Sequence, residues 1–560
     1  MKIENITIHN FRSIREQSFS LQNYSLLIGP NNAGKTNIID ALRIFYENEL
    51  KYSQSRDFPK FPDISDKESW IDIEYLLDNE EYHDLKDEYK QPNNTLKVRK
   101  YLQSDADRVK SNQSNIYAYE KNGLSNNLFY GAKNISEAKL GNVIYIPEIS
   151  KIDEYTKLTG PSPFRNLLEF VVKKVVKNSP AFEELNKSFE EFNKTFLAES
   201  SIDGISLNSL IMDINTHVKG WDISFGIDIN PIKMDGLIKN LISHYLEDNN
   251  LKGHKMDVSS FGQGLQRHLI YTLIRLSAKY KDVSAKKTKK EFSPDYNLIL
   301  FEEPEAFLHP AQQEIMNISL KNLSKDISQQ VLITSHSAHF VSKNIDDVNS
   351  ILKLSKSSAE TQIHQIDETA LADILSENKE LKTILGEKTT AKDLELESIR
   401  YCLWFDPDRC SAFFSDFVLI CEGMSEKALI DTLIKAGEVN LNNCKTYILN
   451  AGGKYDIHRY MNLFGRLGIR HSVLYDGDNN KDRHEKINKF IEQKNNSYTM
   501  NLFSFPDDFE NFLEIEIEND RYKKPLNVMW HYRNKKIKKE RLNELNKIIK
   551  KLIDDEDNVL

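Results

Sequence analysis

A strand, a glycine-rich loop and a helix in direct succession constrain this chain more than any other stretch of it. The segment YSLLIGPNNAGKTNIIDAL (24–42) contains the complete GxxxxGK[ST] pattern. Glycines let backbone N–H groups turn toward phosphate oxygens, and the start of the following helix adds a partial positive charge. A chance glycine-rich turn would not need the strand before it and the amphipathic helix after it. The sequence therefore predicts an ATP site, with Lys35 on the β- and γ-phosphates and Thr36 on Mg²⁺, formed by Gly29, Asn31, Asn32, Ala33, Gly34, Lys35, Thr36 and Asn37.

A nucleotide site of this type also needs carboxylates at the end of a neighbouring strand. In NLILFEEPEAFLHP (297–310), the apolar run LILF ends at Glu302 and Glu303. Ligands of open α/β sheets bind at the carboxyl ends of the strands. Glu302 is therefore predicted to hold the magnesium ion, and Glu303 to act as the base for hydrolysis. The alternative is a charged loop after a core strand, and the position directly behind LILF argues against it.

Composition limits the class of protein. A chain of 560 residues exceeds one hydrophobic core, so two to four domains are expected. It has no apolar run of bilayer-spanning length, and its start, MKIENITIHNF, lacks the pattern of a signal peptide, which indicates a cytoplasmic globular protein. With a formal charge of -9, any DNA contact must come from local basic patches. No metal-binding spacing is present among the cysteines, which are expected to be reduced thiols: Cys402, Cys410, Cys421 and Cys444.

A second α/β unit follows the first. DFVLICEGMSEKALIDTLIKAG (416–437) and KTYILNAGGKYDIHRYMNLFGRLG (445–468) each give a strand, a glycine turn and a helix. HSVLYDGDNN (471–480) adds a third strand that ends at two aspartates. In parallel units the carboxyl ends of neighbouring strands converge at one edge of the sheet. The acidic residues at these strand ends are therefore expected to meet.

These acidic residues form the second predicted site. Glu422 ends one strand, Asp476 and Asp478 end another, and Glu426 lies one helical turn beyond Glu422. Carboxylates this close repel one another unless divalent cations lie among them. One or two Mg²⁺ or Mn²⁺ ions are therefore predicted, and such ions can clamp a phosphate and activate water.

Asp476-Gly477-Asp478 has a second interpretation, because Asp-Gly is a strong turn signal in hairpins. A hairpin needs another apolar strand immediately after Asp478, and the chain continues instead with the polar NNKDRHEKINKFIEQK. If strand geometry persists through Gly477, the two aspartates lie on the same side. The glycine between them would then let a phosphate come close to the backbone.

Four segments, in type and order, resemble the ATP-binding-cassette heads of chromosome-maintenance and DNA-repair ATPases: GPNNAGKT, VSSFGQGLQRHLI (258–270), FEEPEAFLHP and VLITSHSAHF (331–340). Two departures leave the rate of hydrolysis open, namely Glu302 where these families have an aspartate, and SFGQG in place of LSGGQ. No glutamine loop is evident, although GNVIYIPEIS (141–150) lies where one falls. The resemblance implies that Ser260, Gly262 and Gly264 act on the ATP bound by a second subunit. It also implies that His336 senses the γ-phosphate bound within its own subunit.

The order strand-Glu-Gly, strand-Gly-Gly, strand-Asp-x-Asp is similar to that of a Toprim domain, the metal-dependent module of topoisomerases, primases and certain nucleases. An ATPase head followed by such a domain resembles the OLD (overcoming lysogenization defect) family, whose Gabija-type and retron-associated members have similar lengths. The resemblance implies an α/β fold, a homodimer or larger homo-oligomer, and ATP-regulated DNA cleavage that depends on Mg²⁺ or Mn²⁺. It also implies a role in antiphage defence, with a partner protein or a non-coding RNA or DNA.

The nuclease branch of Toprim proteins has a further acidic residue and a lysine after the Asp-x-Asp motif. FPDDFENFL (505–513) offers Glu510, with Asp507 and Asp508 as alternatives. RYKKP (521–525) offers Lys524, or Lys523, to stabilise the phosphate under attack. The catalytic and metal-binding set that the resemblance implies is therefore Glu422, Glu426, Asp476, Asp478, Glu510 and Lys524.

The pattern also predicts the order of domains. It divides the chain into an ATPase head at 1–355 with a helical dimerisation insertion at about 155–220, a helical linker at 356–411, a Toprim domain at 412–515 and a basic segment at 516–560. KDVSAKKTKKEFSPD (281–295) is expected to be an exposed basic loop. The basic segment, with Trp530 and Tyr532 among its lysines, is either a DNA contact or a solvated helix face.

Other functions stay open at this level. A DNA-binding ATPase that does not cut, with the Toprim domain as a scaffold, uses the same segments. Topoisomerase and primase chemistry are disfavoured, because the chain after residue 515 is too short for a tyrosine-bearing domain and the cysteines supply no zinc site. The sequence leaves open the DNA recognised, the activating trigger, and whether ATP activates or restrains cleavage.

Overall fold

The structure is a computed structural model, and its chain divides into two compact units. One unit comprises Met1–Glu148 and Lys290–Leu560, and the other comprises Ile149–Lys289. The predicted basic loop at 281–295 lies mostly outside the described residues. The structure describes residues 1–106, 108–148, 152–159, 162–176, 179–196, 199–218, 223–227, 238–239, 242–249, 253–279, 292–341, 345–388, 390–439, 446–478 and 482–553.

Strands and helices both occur along the described chain, and they alternate regularly from residue 417 to residue 513, as in an α/β unit. The strands are β1 Lys2–Phe11, β2 Ile14–Ser20, β3 Tyr24–Ile28, β4 Ser69–Leu76, β5 Thr95–Gln103, β6 Ile116–Glu120, β7 Gly123–Leu128, β8 Asn142–Ile146, β9 Leu246–Glu247, β10 Lys255–Met256, β11 Asn297–Glu302, β12 Gln329–Thr334, β13 Ile351–Ser357, β14 Glu360–His364, β15 Phe417–Cys421, β16 Thr446–Asn450, β17 Arg470–Asp476 and β18 Thr499–Phe505. The helices are α1 Lys35–Phe45, α2 Gln54–Asp57, α3 Asn79–Asp84, α4 Ile135–Ala138, α5 Ile152–Thr156, α6 Pro163–Val176, α7 Pro180–Phe196, α8 Leu207–Val218, α9 Gln263–Lys279, α10 Pro310–Leu323, α11 Glu368–Ile384, α12 Ala391–Trp404, α13 Pro407–Cys410, α14 Met424–Lys435, α15 Lys454–Arg466, α16 Asp482–Gln493, α17 Phe509–Leu513, α18 Lys524–Arg533 and α19 Lys539–Ile553.

Two six-stranded sheets form the first half of the larger unit. One is antiparallel, in the order β2-β1-β4-β5-β6-β7. The other has the order β14-β13-β3-β12-β11-β8 and is parallel except for β14. Apolar side chains of both sheets and of α1 share one hydrophobic core. The parallel sheet carries β3 at its centre, so the loop after β3 opens between the ends of β12 and β13.

The boundary between head and linker that the sequence suggests, residue 355, falls inside β13. β14 lies after that residue and pairs with β13, with Lys353 opposite His364. The parallel sheet thus includes a strand from the predicted linker, because a short hairpin keeps β14 beside β13. The other domain boundaries stay a prediction.

The smaller unit is helical in most of its described residues. α6, α7 and α8 lie in the stretch at about 155–220 where the sequence predicts a helical insertion. α9 packs against α5 and α6. β9 and β10 form a two-stranded antiparallel pair. That the insertion joins two copies of the chain stays a prediction.

The last sheet of the larger unit has four parallel strands in the order β16-β15-β17-β18. Its central strand β15 reads FVLIC and is buried along its whole length, as a strand covered on both faces must be. The basic segment after residue 516 folds as α18 and α19. The apolar face of α19, with Leu545, Ile549 and Leu552 buried, covers this sheet. The Ser472 hydroxyl of β17 donates to the Leu552 carbonyl at 2.7 Å.

Polar contacts connect the two halves of the larger unit. The buried Lys353 of β13 donates from Nζ to the Phe413 carbonyl at 2.6 Å, four residues before β15. A bidentate ion pair joins Glu397 of α12 to Arg459 of α15, with both oxygens at 2.6 Å. Because Lys353 pairs in register with Ile28 of β3, its side chain links the strand before the phosphate loop to the entry of the last sheet. Among the described residues, no helix is both long enough and apolar enough to cross a bilayer.

Candidate nucleotide and metal-dependent sites

The loop between β3 and α1 has the shape that the phosphate-loop pattern predicts. Gly29 and Gly34 have φ values of 150° and 108°, which side chains with a Cβ rarely adopt. A Cβ on Gly34 would lie 2.4 Å from the Thr361 hydroxyl, and that hydroxyl donates to the Ala33 carbonyl at 2.9 Å. β14 therefore presses on the loop from outside and fixes its curvature.

Lys35 lies at the first turn of α1 and is only 8% exposed. Its Nζ donates to the carbonyls of Gly29 at 2.8 Å and Pro30 at 3.1 Å. The ammonium thus lies inside the curve of the loop, where a β- or γ-phosphate binds in this motif. Of the other predicted contacts, Asn32 has a φ of 67° at the tip of the loop. The Asn37 amide donates away from the loop, to the Ser13 hydroxyl at 2.7 Å.

Glu302 ends β11 beside Thr36. Burial raises the pKa of Glu302, and hydrogen bonds with Tyr145 and Thr36 oppose that rise. The Tyr145 hydroxyl of β8 donates to Glu302 Oε2 at 2.6 Å. Thr36 and Glu302 together give two oxygen ligands of the kind Mg²⁺ prefers. From the sequence, the segment around Tyr145 is predicted only as the position of a glutamine loop, and the contact of this tyrosine with Glu302 is not predicted.

Glu303 and His336 lie next to each other, as their predicted roles require. His336 Nε2 lies 3.5 Å from Glu303 Oε1. Burial raises the pKa of Glu303, and the nearby Glu148 and Glu305 raise it further, so this side chain has the character of a base. Glu305 holds the start of the histidine loop, accepting from the Ser335 hydroxyl at 2.8 Å and from the His336 N–H at 2.5 Å.

The signature segment lies in the smaller unit and has the predicted turn before a helix. Val258–Ser260 form a 3-10 turn, Gly262 precedes α9, and Gly264 lies in the first turn of that helix. The Gln266 amide holds the turn by donating to the carbonyls of Ser259 and Phe261 at 3.1 and 2.6 Å. Action of Ser260 and the two glycines on a second subunit stays a prediction.

In the four-stranded sheet, carboxylates cluster at the carboxyl ends of β15 and β17. Glu422 follows β15, and its Oε2 accepts the Asp476 N–H at 3.1 Å. Glu426 lies in the first turn of α14 and accepts the Gly423 N–H at 3.2 Å. Glu510, in α17, and Glu426 are almost fully buried, at 2% and 3% exposed.

Burial and mutual repulsion keep protons on this cluster when no cation is bound. Burial, together with Glu426 and Glu422, raises the pKa of Asp476 to about 10. Burial and Glu422 raise the pKa of Glu426 to about 8. Burial also raises the pKa of Glu422, against the opposing effect of Lys454. Such a cluster needs positive charge, which protons or divalent cations supply.

The donor atoms fit a hard divalent cation. Asp476 Oδ1 and Glu510 Oε1 are buried and find no hydrogen-bond partner among the residues that the structure describes. An oxygen-only set of carboxylates is what Mg²⁺ and Mn²⁺ prefer. Across the described ranges, no three His, Cys, Asp or Glu side chains are gathered as a complete cation cage. The fit therefore rests on the donor chemistry and on the buried, unpaired oxygens.

Asp478 has a different geometry from the one the sequence predicts. β17 ends at Asp476, and Asp478 has a φ of 48°, so strand geometry does not persist through Gly477. The Asp478 carboxylate pairs with Lys454 Nζ at 2.8 Å and with His484 Nδ1 at 3.0 Å. The extended pattern that would put both aspartates on one side is therefore wrong, because the chain turns immediately after the strand.

Gly477 also has a different role from the predicted one. A Cβ at this position would lie 2.4 Å from the Phe505 carbonyl and 3.0 Å from that of Pro506. The Gly477 N–H donates to the same Phe505 carbonyl at 2.8 Å. The missing side chain thus makes room for the backbone after β18, and the expectation that it makes room for a phosphate is not what this packing shows.

Lys454 is a site residue that is not among those predicted from the sequence. It is the first residue of α15, directly after Gly452-Gly453, and is 2% exposed. The signal was available, since a glycine turn followed by a lysine at the start of a helix is also the order of the phosphate loop. His484, in α16, carried no such signal.

The later acidic residue and lysine also lie at this site. Lys524 Nζ is 3.6 Å from Glu510 Oε2. The alternatives have other partners: Asp508 caps α17 by accepting the Asn511 N–H at 2.8 Å, and Asp507 accepts the Asn511 amide at 2.8 Å. Lys523 pairs with Asp520 at 3.8 Å. The geometry thus favours Glu510 and Lys524.

A cleft of about 710 Å³ contains this cluster. Its acidic members are Glu422, Glu426, Asp456, Asp476 and Glu510, and its basic members are Arg400, Lys454, His484, Arg521 and Lys524. Negative charge at the strand ends with positive charge around it suits a phosphate that is bound through cations and through side-chain ammonium and guanidinium groups.

Comparison with known proteins places these two sites in known domains. The family described as "AAA ATPase domain" matches residues 1–341. The chain belongs to this family. The family described as "Overcoming lysogenization defect protein-like, TOPRIM domain" matches residues 413–478. The predicted architecture, an ATPase head followed by a Toprim domain in an α/β fold, is thereby confirmed.

Relatives extend over most of the chain. The Old nuclease of Escherichia phage P2 is 24% identical over 85% of this chain and 77% of its own length. Endonuclease GajA of Bacillus cereus strain VD045 is 25% identical over 85% of this chain and 75% of its own. Endonuclease GajA of strain HuB5-5 is 25% identical over 82% of this chain, and the match spans 64% of that relative. The Toprim match includes Glu422, Glu426 and the two aspartates, while Glu510 and Lys524 lie beyond it.

Proposed function

We propose that this protein is an ATP-regulated DNA endonuclease that depends on a divalent cation, Mg²⁺ or Mn²⁺. The observation that carries the proposal is the cluster of buried carboxylates with raised pKa values and unpaired oxygens inside a cleft that also carries basic side chains. The names of the relatives, a nuclease and two endonucleases, support the same class of reaction.

Glu422, Glu426, Asp476 and Glu510 would hold the cation, which when bound supplies charge neutralisation and an activated water. Hydrolysis would join a water oxygen to phosphorus, break one P–O bond of the backbone and pass one proton of that water to the departing oxygen. Lys524, 3.6 Å from Glu510, is in position to donate to the non-bridging oxygens of the same phosphate. Lys454 acts as a positioning residue by fixing Asp478 beside the cluster.

Regulation by ATP would follow the link between the two domains. Lys353 pairs in register with Ile28, the residue before Gly29, and its ammonium holds the Phe413 carbonyl. A Cβ on Gly29 would lie 2.5 Å from the Leu354 carbonyl, so the loop and β13 are in close contact. A shift of the loop on binding ATP would therefore move the segment that leads into β15 and Glu422.

The remaining parts of the proposal rest on the family resemblance and on the relatives. They are a homodimer or larger homo-oligomer, action in antiphage defence in the cytoplasm, and a partner protein or non-coding nucleic acid.

Cleavage of supercoiled plasmid tests the proposed activity. The wild-type chain should convert plasmid to nicked or linear forms with Mg²⁺ or Mn²⁺ and should leave it intact in EDTA. Asp476→Asn should reduce the rate at least about 100-fold, because one carboxylate of the cluster is lost. Glu485→Gln, a change of an exposed acid on α16, is the matched control and should cleave like the wild type. Wild-type protein that leaves plasmid intact with both ions would refute the proposal.

A further inference from the structure

The surface beside the Toprim cleft carries a stripe of exposed apolar side chains. Tyr522, Leu526 and Trp530 are 88%, 69% and 50% exposed. Their spacing of four residues puts them on one side of α18 and of the turn that precedes it, because residues four apart are neighbours on a helix. We call these three residues the α18 stripe. Large side chains of this kind, contiguous and exposed, mark a binding surface.

The stripe is not a loosely packed part of the core. The opposite side of α18 carries Val528 and His531, which are buried, and the helix packs through them and their neighbours against α14. One side of α18 is therefore already buried against α14. The exposed stripe is a second apolar surface of this helix.

The stripe begins at the cleft. Tyr522 lines the cleft itself, together with Arg521, Lys524 and Pro525. From Leu526 to Trp530 the helix rises about 6 Å. A strand that leaves the cleft along α18 would therefore meet Leu526 and Trp530 next.

The charge around the stripe favours nucleic acid over protein as the occupant. From Arg521 to Lys539 the sequence has eight lysines and arginines and no aspartate or glutamate. Three of these lysines pair with acids outside the run, namely Lys523 with Asp520, Lys524 with Glu510 and Lys538 with Glu514, and the other five cations remain around the stripe. Lys536 Nζ lies 4.0 Å from the centre of the Trp530 ring, so a cation stands beside the aromatic face. Aromatic rings interleaved with cations bind single strands, because bases stack on the rings while phosphates pair with the cations.

Duplex DNA does not offer this contact, since its bases are already stacked on one another inside the helix. We propose that the α18 stripe binds the unpaired bases of single-stranded DNA adjoining the phosphate in the Toprim cleft. The inference rests on the proposed nuclease function, and it names the substrate class: DNA with an unpaired strand at the cleavage site, such as a flap, bubble or frayed end.

The test measures binding in EDTA, where cleavage does not occur. Fluorescence anisotropy with the full chain compares a labelled 20-nucleotide oligothymidine with a labelled 20-base-pair duplex. Stacking of one base on an aromatic side chain is worth about 1–3 kcal/mol. The double variant Tyr522→Ala/Trp530→Ala should therefore raise the Kd for oligothymidine at least about tenfold. The Kd for the duplex should change less than about twofold.

Two controls separate stacking from other effects. Tyr522→Phe/Trp530→Phe keeps the rings and should retain the wild-type Kd for oligothymidine. Ile327→Ala removes an apolar side chain that is 71% exposed, close to the exposure of Leu526, and should leave both Kd values unchanged. Because the alanine variants change only exposed side chains, their melting temperatures should match the wild type.

An unchanged Kd for oligothymidine in the double alanine variant would overturn the inference. If that variant instead altered the sedimentation of the protein, the stripe would belong to an interface with a second copy, which also overturns it. Failure of the proposed function gives a different result: wild-type protein that binds oligothymidine through the stripe yet cleaves no DNA with Mg²⁺ or Mn²⁺.

Discussion

Removing one carboxyl from the Toprim cluster should change how the stability of the metal-free domain depends on pH. The folded-state pKa values of Glu426 and Asp476, about 8 and about 10, lie above the ordinary values of 4.5 and 3.8. A group whose pKa rises on folding stabilises the protein fully below its unfolded pKa and loses that contribution as pH rises. Between pH 5.5 and 7.0, both groups carry a proton when folded and none when unfolded.

Each such proton lowers the free energy of unfolding by about 1.4 kcal/mol per pH unit. Two protons over this interval therefore lower it by about 4 kcal/mol in the wild type. Asp476→Asn leaves one of them, and the loss should fall to about 2 kcal/mol. Groups common to both proteins cancel in the comparison.

Hydrogen exchange of peptides from β15 and β17, in EDTA, measures the opening free energy of this sheet at each pH. Glu485→Gln should follow the wild type, because this exposed carboxyl lies outside the cluster. Saturating Mg²⁺ should remove most of the pH dependence of the wild type, since the cation replaces the protons. Equal slopes for wild type and Asp476→Asn would refute the assignment of protons to this cluster.

Three further changes test single contacts. Gly477→Ala should destabilise the Toprim domain by about 1–3 kcal/mol, because the new Cβ would contact the Phe505 carbonyl. Gly226→Ala is the control and should not destabilise the protein, because a Cβ there meets open space. Equal melting curves for the two variants would contradict the packing described for Gly477. Lys454→Met should destabilise the metal-free protein by about 3 kcal/mol, because Asp478 loses its counter-charge. For the same reason the variant should have a lower Kd for Mn²⁺. Calorimetric titration measures this Kd, and a weaker affinity for Mn²⁺ would refute the prediction. Lys353→Met should abolish the effect of ATP on plasmid cleavage while ATP hydrolysis continues, and an unchanged ATP effect would exclude this link.

Motifs set by local chain geometry could be predicted from the sequence. The phosphate loop needs a strand, glycines with positive φ and a helix in immediate succession. The residues for all three can be recognised in the sequence at 24–42. The same holds for the strand ends at Glu302, Glu422 and Asp476, because parallel strands bring their carboxyl ends to one edge. For these residues, the periodicity of apolar side chains fixes both the element and the end at which the polar residue lies.

Contacts between distant segments could not be predicted in this way. Tyr145 reaches Glu302 because β8 pairs with β11, and nothing in the tyrosine's own neighbourhood reveals that pairing. The position of the Asp478 side chain could not be predicted for a related reason. The turn after β17 depends on the backbone of β18, which lies against Gly477. Lys454 could be predicted only in part. Its glycine turn is evident in the sequence, but its ion pair with Asp478 follows only from the fold.

We propose that cleavage takes place at the Toprim carboxylates and nucleotide hydrolysis at the phosphate loop. Parallel assays of plasmid cleavage with Mn²⁺ and of ATP hydrolysis, on the same preparations of wild type, Asp476→Asn and Lys35→Met, test it most directly. Asp476→Asn should lose cleavage and keep ATP hydrolysis, and Lys35→Met should lose ATP hydrolysis. Cleavage that persists at the wild-type rate in Asp476→Asn would contradict the account.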